Sequence, residues 1–327
     1  MFKLGLNPYG LTYGLGLQGR GTPRVNPHGR GLEGFIEIAR ELRAKTIELF
    51  APWLAEMSDG DLARLRERLD ALGMEPVVSS ALTGMGPVEG ALRFAKALGA
   101  NTIRLGLSPV LEGSRNAWGA KWLDLVASIR ADLSRYAPHA AGQGVVLAIE
   151  NHQDFTSAEL VDFCTTYGPG LGVCFDTGNS FPVAESPLDF ARRVAPFVRH
   201  VHLKDYRVQF TPEGFRLIRC AIGDGAVPFA EIAGVLREHH AHLTAVLEPG
   251  ALEARHIRLF TPEWWNGYPA KPAPELAACL LAAQRNGLPA DADTRTLWEK
   301  GEEGEALAQY ELAMIRRSAA LMQALDL

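Results

Sequence analysis

Glu150, Asp176, His202 and Glu248 each close an apolar, strand-like run: Val145 to Ile149, Leu171 to Phe175, Val198 to Val201, and Leu243 to Leu247. Three carboxylates and an imidazole suit one hard or borderline divalent ion, manganese and magnesium ahead of zinc, with cobalt a further alternative. Such an ion polarises a carbonyl oxygen and makes the neighbouring C–H acidic. Side chains this far apart in sequence meet only if the fold carries the ends of separate strands to one place. A parallel barrel does so, because its carboxyl face collects every strand end around one cavity.

The chain supplies the elements for that architecture. Strand patterns fall near 2 to 6, 45 to 50, 75 to 80, 101 to 107, 144 to 150, 170 to 176, 198 to 204 and 242 to 248. Helical patterns lie between them, near 31 to 43, 59 to 72, 87 to 98, 116 to 142, 157 to 167, 187 to 195 and 228 to 239, with another near 274 to 285. Strands alternating with helices imply parallel βαβ units, and eight of them close a (β/α)8 TIM barrel. A doubly wound open sheet is the rival, but it does not place candidate ligands on consecutive strand ends.

Three segments exceed a minimal barrel. A long, glycine-rich first βα loop runs from Asn7 to Arg30 at the face where the site should lie, as a lid or a docking loop for a partner. Its Gly14, Gly16 and Gly19 fit the spacing of a dinucleotide fingerprint but do not turn directly from strand into helix, so nucleotide binding is not expected. An aromatic insertion with Phe260, Trp264, Trp265 and Tyr268 follows the last strand. A helical extension from Glu302 to Leu325 presents Leu307, Tyr310, Met314 and Leu321 on one face, suited to packing on the barrel or on another subunit. The expected division is a barrel over 1–287 and a C-terminal helical extension over 288–327.

Composition fits a globular enzyme: 327 residues, 47% hydrophobic and 22% charged, enough for one barrel domain with extensions. A net charge of −5 argues against a surface built for nucleic acid. Cys164, Cys174, Cys220 and Cys279 show no redox or metal spacing and read as reduced thiols, which with no signal peptide and no apolar run of membrane-spanning length gives a cytoplasmic expectation.

Five stretches in order carry a resemblance. Val146-Leu147-Ala148-Ile149-Glu150-Asn151-His152, Cys174-Phe175-Asp176-Thr177-Gly178-Asn179, His200-Val201-His202-Leu203-Lys204-Asp205, Ile222-Gly223-Asp224-Gly225 and Val246-Leu247-Glu248-Pro249 resemble the xylose isomerase-like TIM barrels over roughly Phe2 to Gln284. That superfamily includes sugar isomerases and epimerases and metal-dependent abasic-site endonucleases. The resemblance implies that Glu150, Asp176, His202 and Glu248 hold the metal. From the residues alone, Glu150 and Glu248 could also be salt-bridge groups of the barrel rim, and Asp176 a turn cap. Strand alternation puts His200 and His202 on one face, so the choice of His202 rests on the resemblance.

The resemblance also implies that Arg219, four residues before Gly223, contacts substrate as in the ketose 3-epimerases. His152 points the same way along an extended strand as Glu150 and could act as a general base, or merely cap the surface. Lys204 and Asp205 are candidates for orienting ligands and substrate oxygens, and Glu48, near the end of the second strand, for reaching a sugar hydroxyl. Two departures narrow the choice. Asn179 stands where endonucleases and many epimerases carry a histidine, and Thr156 where ketose 3-epimerases carry a second glutamate.

The leading expectation is a metal-dependent sugar isomerase or epimerase: Glu150, Glu248 or His152 removes the proton next to a carbonyl, an opposing group returns it, and the ion holds the enediolate charge. The alternative is a lyase resembling C-glycoside deglycosidase catalytic subunits, which expels an aglycone from a 3-oxo-glycoside beside a small partner subunit. Trp264 and Trp265 would then stack on the aglycone. The expected partner is a small sugar-like molecule, in a homo-oligomer, or a hetero-oligomer if the lyase holds.

Overall fold

The computed structural model describes residues 2–325. Eight parallel strands close a barrel: β1 (Phe2–Leu6), β2 (Thr46–Phe50), β3 (Glu75–Ala81), β4 (Thr102–Gly106), β5 (Val146–Glu150), β6 (Leu171–Asp176), β7 (Val198–Leu203) and β10 (Leu243–Leu247). Strands β2, β4 and β6 are buried at every position, because side chains facing outward meet the helices while those facing inward fill the barrel. The seam between β1 and β2 is short, pairing only Gly5 with Thr46 and Leu6 with Ile47. A Cβ on Gly5 would collide with the Thr46 carbonyl, so the residue with no side chain lets the two backbones meet.

The surrounding helices are α1 (Gly31–Glu41), α2 (Ala51–Leu54), α3 (Asp59–Leu72), α4 (Val88–Leu98), α5 (Lys121–Ala141), α6 (Ser157–Tyr167), α7 (Pro187–Val194), α8 (Phe229–His239), α9 (Ala273–Ala283) and α10 (Gly304–Ala324). Local chemistry sets their ends. Ser58 and Asp61 form a capping box at the start of α3, and Gly73 stops it in the left-handed region at φ 66°. Thr156, standing where ketose 3-epimerases were expected to carry an acid, caps α6 reciprocally with Glu159. Among the described residues no helix is long and apolar enough to cross a membrane, and all four cysteines are buried and unpaired.

The sequence reading left one element out. Between β7 and α8 the chain forms the hairpin β8 (Tyr206–Thr211) and β9 (Gly214–Arg219), joined by β11 (Arg255–Ile257) into an antiparallel sheet of three strands. The aromatic segment thus contains a strand edge as well as stacked rings. The hairpin is anchored through Asp205, whose carboxylate accepts the N–H groups of Tyr206, Gly223, Gly225 and Val227 at 2.8 to 3.1 Å. A Cβ on Gly225 would strike that carboxylate, which is the physical content of the Ile222-Gly223-Asp224-Gly225 stretch.

The first loop is pinned and does not hang free as a lid. Glu311 of α10, fully buried, accepts the N–H groups of Tyr13 at 3.0 Å and Gly14 at 2.9 Å and the Thr12 hydroxyl at 3.1 Å. Gly19 lies far ahead of α1, so the glycine spacing makes no strand-to-helix turn. Helix α10 lies on the barrel, with Ile315, Ala319 and Met322 in the same core as the strands, while Leu307 packs with Tyr13, Leu252 and Trp298.

Candidate metal centre and cavity

One ligand atom from each of Glu150, Asp176, His202 and Glu248 lies within 4.8 Å of the other three, and all four residues are buried. The strands explain the convergence. Glu150 and Asp176 are the last residues of β5 and β6, Asp176 pairs in register with His202 on β7, and Glu248 directly follows β10. The backbone N–H groups of Gly178 (3.0 Å) and Asn179 (3.2 Å) and the Asn179 side-chain amide (2.8 Å) hold the Asp176 carboxylate, while the Asn151 amide exchanges hydrogen bonds with the Asp176 main chain. Asn179, read as a lost ligand, is therefore the brace of one.

The two histidines separate here. His200 directs Nδ1 to the Thr244 hydroxyl at 2.7 Å and Nε2 to Glu48 at 3.0 Å, so both ring nitrogens are committed inside the barrel. His202 sets Nε2 2.6 Å from the same Glu48 oxygen and turns Nδ1 toward Glu150 at 3.1 Å and Glu248 at 2.5 Å. Although burial pulls the imidazole down, Cys174, Glu48 and Glu248 hold it well above its ordinary range, so without a metal Nδ1 shares a proton with the carboxylates beside it. A divalent cation that displaced this proton would meet one imidazole nitrogen and anionic oxygens converging on it. Cys174, His200 and His202 form a second cluster, but burial pushes the Cys174 thiol up to about 12, which disfavours the thiolate a metal needs.

Two cations enter the same cluster. Arg104, in the middle of β4, pairs with Glu150 and donates to the Ser80 carbonyl at 3.2 Å; Lys204 Nζ lies 2.5 Å from Asp176 and 2.9 Å from Glu248. Against the carboxylates of Glu48, Glu150, Asp176 and Glu248, these two leave two negative charges for a divalent ion to balance once His202 gives up its proton to the ion. Burial, with Glu248 and Glu150 nearby, pushes Asp176 up to about 7 despite Lys204, a crowding a cation would relieve.

Above the cluster opens a cavity of about 350 Å³ whose wall includes Tyr9, Arg104, His152, Lys204, Tyr206, Glu248 and Arg255. Apart from Arg104, which reaches up from within β4, these follow barrel strands or lie on the small sheet, so the opening is at the carboxyl face. The His152 ring makes no hydrogen bond among the described residues. Burial and the neighbouring Arg104 and Lys204 outweigh Glu150 and bring it down to about 4, so it is neutral at neutral pH.

Several substrate-contact expectations are corrected. Glu48 is buried beneath the cluster, where it orients His200 and His202 and does not face the cavity. Arg219, at the end of β9, turns away toward the Gly10 carbonyl at 3.1 Å and Glu311 at 3.6 Å, because the hairpin carries it to the side of α10. Trp264 is 2% exposed, stacked on Tyr268 with centroids 4.7 Å apart and bonded from Nε1 to the Glu112 carbonyl at 3.0 Å. Trp265 likewise donates to the Leu259 carbonyl at 2.8 Å. Trp264 and Tyr268 clamp the loop after β4, and none of these rings lines the cavity. Missed from sequence were Tyr9, Arg104, Tyr206 and Arg255; of these only Arg104 had a signal, a charge within the apolar run Thr102 to Leu107.

A closed parallel barrel whose carboxyl end gathers three carboxylates and an imidazole under a small cavity defines a barrel organised around a cation pocket. The chain belongs to the xylose isomerase-like TIM barrel family, whose sequence profile matches residues 36–258. It is 25% identical over 177 residues to the uncharacterized protein YihM of Escherichia coli (strain K12), covering 54% of this chain and 52% of that one, so it matches about half the length of that relative. It is 21% identical over 249 residues to a 3-oxo-isoapionate decarboxylase of Pectobacterium atrosepticum, covering 75% of this chain and 84% of that one. A D-psicose 3-epimerase solved in the presence of D-fructose superimposes with a TM-score of 0.55 at 20% identity, over 89% of this chain and 92% of that one, a likeness of fold.

Proposed function

We propose that this protein is a metal-dependent sugar isomerase or epimerase that moves a proton at the carbon beside a carbonyl. The observation that carries the reading is an unpartnered imidazole, His152, lining a cavity directly above the buried ligand set Glu150, Asp176, His202 and Glu248. A divalent ion held by those four residues, manganese by preference, would polarise the substrate carbonyl. His152 takes the proton from the adjacent carbon, the task of a neutral base within reach of the substrate. Glu248 stands on β10, three places from β5 in the ring of eight strands, and so approaches a bound molecule from another side, where it can return a proton. The ammonium of Lys204 and the hydroxyls of Tyr9 and Tyr206 position substrate oxygens, and the ion pair with Arg104 keeps Glu150 ionised.

A second reading is a lyase reaction: elimination, in which the electron pair left at carbon expels a neighbouring group, or decarboxylation, in which a carboxylate leaves as carbon dioxide and the electron pair left on the carbon beside the carbonyl takes up a proton. The likeness to a 3-oxo-isoapionate decarboxylase supports it; the buried indoles withdraw the argument for a stacked aglycone. The test is to incubate manganese-loaded protein in D2O with free ketoses, ketose phosphates, keto sugar acids and 3-oxo-glycosides and follow each by NMR. Deuterium beside the carbonyl together with a new epimer or isomer is expected. Release of carbon dioxide or aglycone without an epimer selects the second reading, and no deuterium incorporation or release from any compound overturns both.

A further inference from the structure

The cavity wall holds three strong cations, and two are already answered by carboxylates, Arg104 by Glu150 and Lys204 by Asp176 and Glu248. Arg255 is not. It opens β11, in register with Leu217 of β9, and is half-buried, yet its guanidinium makes no ion pair or hydrogen bond among the described residues. Its neighbours behave differently: Arg258 is 3.1 Å from Glu213, and Arg216 is 3.0 Å from Glu299. The nearest acid in sequence that lines the cavity, Glu253, is engaged by the Gln18 amide at 2.6 Å and forms no ion pair with Arg255. Tyr206 belongs to the same part of the wall, and its hydroxyl makes no hydrogen bond among the described residues.

We propose that the substrate carries a carboxylate, making it a keto sugar acid, and that Arg255 with the Tyr206 hydroxyl binds that group. A guanidinium presents two parallel N–H donors at the spacing of carboxylate oxygens, and a phenol adds a third donor to the same planar anion. The wall offers no cluster of cations to match a phosphate dianion, since Arg104 and Lys204 are neutralised below. The inference rests on the proposed reading for where the carbonyl sits, and names the substrate class of that same cavity.

The test titrates manganese-loaded protein calorimetrically with D-fructuronate, D-fructose and D-fructose 6-phosphate, as wild type, Arg255→Gln and Arg255→Lys, and records solvent deuterium exchange on the same samples. Fructuronate is expected to bind about tenfold to a hundredfold tighter than fructose, as befits a charge-assisted pair. Arg255→Gln should abolish the preference and Arg255→Lys keep part of it, with bound manganese and thermal midpoint unchanged in both. Equal affinities, no binding of the acid, tighter binding of the phosphate, or a preference that survives Arg255→Gln overturns the proposal. Acid preference through Arg255 without exchange leaves it standing and defeats the proton-transfer reading. Exchange on fructose without acid preference does the reverse.

Discussion

Glu248 illustrates how a side chain can be legible in sequence by position and still need the fold to show its work. It ends an apolar run, as Glu150 and Asp176 do, and a charge where a buried strand stops at the carboxyl face marks a candidate for the site. What sequence does not show is that its Oε2 lies 2.5 Å from the His202 Nδ1. Glu248→Gln keeps the shape and removes the charge, so manganese affinity should fall at least about tenfold. Elemental analysis after dialysis checks this, and wild-type occupancy would contradict the assignment. His152→Gln should keep fold and metal while slowing deuterium exchange ~10² to 10⁴-fold; exchange at the parental rate would move the base to Glu248. Arg219 shows the limit of carrying a role across by spacing: Gly223 is four residues on, but Arg219 ends β9 and turns outward to the Gly10 carbonyl and Glu311 of α10. Arg255 left no trace in sequence, because the absence of an ion pair is a property of its surroundings.

Among elements, the eight barrel strands were readable because each is an apolar run bounded by turn residues, and helix ends followed from caps such as Ser58 with Asp61 and Gly99 at φ 67°. The hairpin went unread although its signal was present. Tyr206, Val208 and Phe210 alternate with polar residues, Thr211-Pro212-Glu213-Gly214 makes the turn, and Phe215 and Leu217 resume the alternation. A barrel scheme has no place for antiparallel strands between its seventh and eighth members, and that expectation hid them. The link between the first loop and α10 was also invisible, since it depends on one buried carboxylate. Glu311→Gln replaces that acceptor with a group that cannot serve all its donors. Unfolding free energy should drop by about 2 to 4 kcal/mol, from unsatisfied buried donors and a weakened partner for Arg219. Urea denaturation measures the loss, and limited proteolysis should cut first within residues 7–30; an unchanged midpoint would mean the loop is held by its apolar contacts alone.

For the molecule as a whole, burial of acids makes stability depend on pH. Asp154 is pushed up to about 7 by burial, against the Ser108 hydroxyl, the Phe155 N–H and Arg115, with Glu150 adding to the rise. An unfolded aspartate titrates at about 3.9, so between roughly pH 4 and 7 the folded protein holds a proton that the unfolded chain has lost. Stability from this residue therefore falls as pH rises through that window. Asp154→Asn should remove the dependence, so the difference between variant and wild type in urea should shift toward the variant by up to a few kcal/mol from pH 4 to pH 7.5. Parallel curves would show that Asp154 is ionised throughout.

The clasp of Glu311 on Tyr13 joins residues 298 positions apart in the chain. Tyr9, part of the cavity wall, lies on the same loop just ahead of that clasp. During synthesis the chain therefore carries all four candidate ligands before it has the residue that fixes this wall. The first part of the cavity to be made is among the last to be set, and an immature chain whose last helix has yet to dock can offer its carboxylates and imidazole to a metal before its substrate pocket is complete.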